Sequence, residues 1–129
     1  MATVIAPRVD ESLFKRWGHR VVGWYSSPYE LEERPGVFVI ATQGFRQPFV
    51  LDVGESENIR DCVLSHERRS FWRRNALGGL LYAALYTEMD QSPFLDEFQR
   101  RNIESHIRSV EQPVFGMRDL FSRPQQESL

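Results

Sequence analysis

The stretch G36-V-F-V-I-A-T-Q-G-F-R-Q-P-F-V-L-D-V-G-E-S56 decides how the rest of the chain is read. Residues 36–41 are apolar and rich in β-branched side chains, the pattern of a buried strand. Residues 42–48 form a short polar loop around Gly44, and residues 49–53 resume the strand pattern. Two such runs flanking a glycine-containing loop predict a β-hairpin. Gly54 is expected to break the second strand. Ser56 then offers an N-cap oxygen, with Glu57 beside the positive end of a helix dipole.

Downstream, Ile59, Cys62, Val63 and His66 recur at the spacing of one helix face. Residues 70–75 read as a second short helix or a turn. Gly78 and Gly79 punctuate, and residues 80–87 read as a third strand. Residues 89–93 form a loop. Residues 94–110 carry the longest helical pattern, with Leu95, Phe98, Ile103, Ile107 and Val110 apolar, and Pro113 follows its end. Upstream, Leu13, Phe14 and Trp17 sketch a short helix, and residues 19–25 a short strand or extended segment. The expected architecture is α+β: a small three-stranded sheet, antiparallel or mixed, flanked by helices in the order β-β-α-α-β-α. Residues 1–35 are read as an N-terminal extension packing on a domain of residues 36–116, and residues 117–129 as a C-terminal tail that is polar and frayed from Ser122.

A chain of 129 residues suits one domain. Its 41% hydrophobic and 12% aromatic content belongs to globular proteins, not disordered ones. No apolar run approaches the ~20 residues that span a bilayer, and residues 1–10 lack the pattern of a signal peptide. The single cysteine, Cys62, excludes an internal disulfide framework and a cysteine-based zinc site. A cytoplasmic location without membrane partners is the resulting expectation.

The net charge of -2 does not announce a nucleic-acid binder. Fifteen of the sixteen basic residues are nevertheless arginine, Lys15 being the exception. Arginine grips phosphate or carboxylate with a planar fork where lysine offers a point charge. High genomic G+C content produces the same bias. In H66-E-R-R-S-F-W-R-R74 four arginines surround Phe71 and Trp72, a combination suited to single-stranded or distorted nucleic acid. The same run reads equally as two core aromatics with a solvated rim. Trp17 and Trp24 read as packing residues.

The pairing of Gly36-Val37-Phe38 with Asp52-Val53-Gly54 resembles the two-part signature of GIY-YIG nuclease domains. G54-E-S-E-N-I-R-D-C-V63 is similar to the stretch that follows the second motif in that family. R101-N-I-E-S-H-I107 resembles the helix bearing its acidic metal ligand, and Gln112-Pro113 its closing turn. The resemblance covers residues 36–116 and looks most like a small bacterial subgroup. It implies a phosphodiester-cleaving fold in which two tyrosines surround the attacking water, an arginine stabilises the phosphate, and a glutamate holds one divalent metal, Mg²⁺ or Mn²⁺.

At the matching positions this chain has Phe38 and Asp52 for the tyrosines, Cys62 for the arginine and Gly116 for a late asparagine; only the glutamate is kept, as Glu104. Loss of one electrostatic stabiliser typically costs about 10²–10³ in rate. The leading expectation is a catalytically degenerate domain, needing no metal. It binds nucleic acid, DNA before RNA, or a protein partner, through a face carrying Arg60, His66, Arg68, Arg69, Trp72, Arg73 and Arg74. Two further readings stay open. One is a working Mg²⁺ or Mn²⁺ endonuclease rebuilt from Asp52, Glu104, His66 and an arginine. The other is a structural interaction module with Phe38, Phe45 and Phe49 as an apolar patch. Plainer roles stand beside these. Asp52 can pair with an arginine, Glu104 can pair with Arg100 or Arg108 at helical spacing, and Cys62 and His66 can simply pack on one helix face.

Overall fold

A strand that is apolar at every position needs cover on both faces, and the fold supplies it. The computed structural model describes residues 9–88 and 94–113. Their order is α1 (Glu11–Trp17), β1 (Val22–Tyr25), a 3-10 turn (Pro28–Glu30), β2 (Gly36–Thr42), β3 (Phe49–Ser56), α2 (Ile59–Leu64), α3 (Arg69–Arg74), β4 (Leu80–Leu85) and α4 (Glu97–Glu111). The sheet is antiparallel throughout and runs β1-β4-β2-β3. The α+β class is as read from the sequence. The sheet has four strands and not three, because the N-terminal segment adds β1 along β4.

Every residue of β2 is buried. Val37 and Val39 face a core layer built with Leu13 and Trp17 of α1 and Ile103 and Ile107 of α4. Phe38 and Ile40 face the opposite layer with Ile59, Val63 and Trp72 of α2 and α3. Strand alternation thus sends alternate residues into two separate cores. Each fully buried aliphatic or aromatic side chain contributes roughly 1.5–3 kcal/mol of burial. The helical face of α4 is narrower than its apolar letters suggest. Ile103, Ile107 and the charged Arg100 are buried, whereas Phe98 and Val110 are exposed.

Two local expectations are corrected. Gly54 does not end β3, which continues to Ser56. Gly54 sits directly opposite Phe38 across the hairpin, and a Cβ there would collide with the Phe38 ring. Glycine is needed here so that the ring can lie across the neighbouring strand. The N-cap of α2 is Asn58, whose side chain accepts from the Asp61 amide, and Ser56 instead accepts from the Asn58 amide. Gly116 and the loop assigned to residues 89–93 lie outside the described residues.

The hairpin register slips by one residue. Ile40 pairs with Asp52 but Ala41 with Val50, so Leu51 is inserted without an opposite number. Such a bulge re-aims the neighbouring side chain, and here the neighbour is Asp52.

Candidate functional site

Asp52 lies on edge strand β3 with 0% of its surface exposed. A carboxylate so buried requires partners for each lone pair. Oδ1 accepts from the Val53 amide at 2.8 Å and from Arg108 Nη2 at 3.2 Å. Oδ2 accepts from Trp72 Nε1 at 2.9 Å and lies 3.1 Å from Arg68 Nε. Arg108 Nη2 also donates to the Val53 carbonyl. The amide and carbonyl of Val53 are therefore capped by Asp52 and Arg108, which blocks strand pairing at this point of the β3 edge.

Arg108 reaches a second carboxylate. Its Nε donates to Glu104 Oε2 at 3.0 Å. One guanidinium thus spans Asp52 and Glu104, the two acids that a rebuilt metal site would share. One turn pair earlier on α4, buried Arg100 donates to Glu55 Oε1 at 2.7 Å and to the Leu95 carbonyl. Arg100 and Arg108, two helical turns apart, clamp α4 to two acids of β3. The helical spacing identified Arg108 as a partner of Glu104, but Arg100 pairs with Glu55 instead.

His66 is packed on this cluster. Its ring lies 4.7 Å from that of Trp72 and 5.9 Å edge-on from Phe38, and its Nδ1 accepts from the Arg68 amide at 3.1 Å. Burial, reinforced by the Arg68 guanidinium, holds the His66 imidazole below its ordinary value of 6.5. Burial pushes the Cys62 thiol up, against a side-chain hydrogen bond from Ser56. A thiol raised in this way is a poor nucleophile.

The sign of the His66 shift gives a testable consequence. An imidazole depressed in the folded state is protonated first in the unfolded chain. Its stabilisation is complete above about pH 6.5 and is lost as pH falls through the lower folded value. Urea midpoints are expected to fall more between pH 7.5 and pH 5 for the native chain than for His66→Gln. Parallel profiles of the two proteins would refute the assignment.

Several expected contact residues are already engaged. Trp72, at 1% exposure, is a core side chain and does not stack on an exposed base as placed. Phe38 is likewise buried and does not belong to an apolar surface patch. Arg60 donates to the Leu31 carbonyl and pairs with Glu33, bracing the 3-10 turn against α2. Arg68 is spent on Asp52, and half-buried Arg69 donates to the Leu64 carbonyl at the end of α2. Arg73 and Arg74 are exposed, and Arg74 lies over the exposed Phe71 ring with Cζ 4.8 Å from its centroid.

At this same end of the sheet the β2–β3 loop projects Phe45 and Arg46, with Arg46 Cζ 5.8 Å from the Phe45 centroid. Thr42 Oγ1 ties the end of β2 to the α3–β4 connection, accepting from the Leu77 amide and donating to the Gly79 carbonyl. Residues 42–51 and 68–81, which include the β2–β3 loop and the α3–β4 connection at this end, contain no Asp or Glu. Glu111 of α4 borders this end and is paired with Arg16. The basic-aromatic run 66–74 signalled part of this surface, and the apolar-patch reading named Phe45 and Phe49; Arg46 carried no signal of its own.

A separate chain of hydrogen bonds had no sequence signal. Glu88 Oε2 lies 2.8 Å from His19 Nδ1, and His19 Nε2 lies 2.9 Å from His106 Nδ1. It ties the segment after α1, the segment after β4 and α4 together.

Among the described residues no group of three or more His, Cys, Asp or Glu side chains is placed to hold a metal ion, and no helix is long and apolar enough to cross a membrane. Comparison of the chain with models of known families, with curated proteins and with solved structures finds no match.

Proposed function

We propose that the protein is a catalytically degenerate domain of GIY-YIG type that binds nucleic acid through the pole bearing Arg69, Arg73 and Arg74. The observation that carries the binding reading is charge segregation. In a chain of net charge -2, residues 42–51 and 68–81 carry arginines and the exposed Phe45, Phe49 and Phe71 but no Asp or Glu. Phosphate contact by arginine dominates affinity for nucleic acid and needs no net positive charge on the whole protein.

The degenerate reading is supported by the chemistry left at the matching positions. From β2 onward the order of elements is the one the resemblance implies. Phe38 carries no hydroxyl, Cys62 no charge, and Asp52 has both oxygens occupied by protein donors. A carboxylate in that state neither abstracts a proton from water nor coordinates a cation. Glu104 is held by Arg108. These four positions now serve the fold.

Fluorescence anisotropy with labelled single- and double-stranded DNA and RNA tests the proposal. Binding is expected at low salt and to weaken as salt rises. Arg73→Ala combined with Arg74→Ala is expected to weaken every form and to lower the log–log salt slope by about 1.5–2. Undetectable binding at low salt, or binding indifferent to this double variant, would overturn it.

A further inference from the structure

Phe45 is 96% exposed at the tip of the β2–β3 loop, and Phe49 beside it on β3 is 54% exposed. Two neighbouring exposed aromatic rings make a contiguous apolar patch, the kind of surface feature that marks an interaction site. Gly44 imposes the projection, because a Cβ there would strike the Gln47 carbonyl as the loop turns back. The two rings form a ridge between two hollows. One, of about 450 Å³, is closed on the far side by Asn75 and Leu77 of the α3–β4 connection. The other, of about 430 Å³, is bounded by Arg16, Arg46 and Gln112. Both fall within the 300–1,000 Å³ typical of small-ligand sites. Among the described residues lining the two hollows, the one carboxylate is Glu111, which is held by Arg16 and by Trp17 Nε1.

From these features we infer that the nucleic acid bound at this pole is single-stranded, with unpaired bases stacked on the Phe45–Phe49 ridge and entering the flanking hollows. The inference rests on the binding proposed above and names its ligand class. The pole pairs an arginine with an aromatic ring twice, Arg46 with Phe45 and Arg74 with Phe71. Arg73, Arg74 and Arg46 meet phosphates, and Phe71, Phe45 and Phe49 meet base faces. Gln43 and Asn75 line the hollow beside Phe45 with amide groups, the Asn75 Nδ2 already donating to the Phe71 carbonyl. A duplex buries its base faces in its own stack and offers this ridge nothing. An acidic protein would satisfy the arginines, but it carries no regular supply of flat rings for two open hollows.

Anisotropy with three probes of equal length separates the possibilities: a mixed-sequence single strand, its duplex, and an abasic strand with sugars and phosphates only. Stacking on aromatic side chains contributes at the level of about 5- to 150-fold in affinity per base. Phe45→Ala plus Phe49→Ala is expected to weaken the intact single strand by at least about fivefold, leaving the duplex and the abasic strand unchanged. Phe45→Ala alone, in a loop at full exposure, guards against a folding defect and is expected to act in the same direction. Equal affinity for all three probes, or indifference to both phenylalanine variants while Arg73→Ala plus Arg74→Ala weakens every probe, would overturn the single-strand inference and leave the arginine grip standing. That second result is also what a protein-docking ridge would give. Binding to no probe at low salt would remove both.

Discussion

Asp52→Ala is expected to lower stability by roughly 3–5 kcal/mol, the usual consequence of removing one partner of a buried ion pair. At about 3–5 °C per kcal/mol for a chain of this length, the melting midpoint would fall by roughly 10–20 °C. The size follows from what the substitution leaves behind. Arg68 and Arg108 would face a cavity without their common anion, and the Trp72 Nε1 and Val53 amide donors would lose their acceptor. Asp52→Asn is expected to fare little better. Each oxygen of the carboxylate faces two donors, so an amide must turn its own NH₂ against a pair of them. Pairing Asp52→Ala with Arg108→Met should recover part of the loss, because an apolar side chain of similar length leaves no buried charge. Urea unfolding of the three variants measures all of this. A loss below about 1 kcal/mol would mean that the cluster behaves as a solvated surface pair.

This cluster also shows which parts of the structure a sequence can and cannot disclose. The hairpin is legible because β-branched runs around a glycine loop are a local signal, and residues 36–42 needed no partner to be recognised. The importance of Asp52 was legible only as an overwritten position in a family pattern. Its partners were not. Arg108 announces its helical neighbour Glu104 by spacing, but its contact with Asp52 spans 56 residues and depends on α4 lying along the β3 edge. Gly54 reads as a break for the same reason. Nothing local says that the Phe38 ring occupies the space of its missing side chain; that requires the register of the hairpin. Trp72 and Phe71 are adjacent letters with opposite fates, one in the core and one in solvent, and only the docking of α3 on the sheet separates them.

Substitution of Trp72 separates the structural role of the 66–74 run from its proposed binding role. Trp72→Ala is expected to cost about 3–5 kcal/mol, since it empties a fully buried site between Phe38, His66 and the sheet. Trp72→Phe keeps a six-membered ring in the site but removes the indole N–H from Asp52 Oδ2 and leaves a smaller cavity, for an expected loss of about 1–3 kcal/mol. The two losses differ because alanine leaves much the larger cavity beside the same unsatisfied acceptor. Nucleic-acid affinity of the folded Trp72→Phe protein is expected to equal that of the native chain, because the indole does not reach the surface where Arg73, Arg74 and Phe71 stand. A Trp72→Phe variant that stays as stable as the native chain yet binds as weakly as Arg73→Ala plus Arg74→Ala would reverse the assignment. It would place the indole against a base rather than against Asp52, and α3 would have to lift from the sheet to allow it. The hydrogen bond from Nε1 to a buried carboxylate that Val53, Arg68 and Arg108 also hold is the reason to expect that α3 stays down.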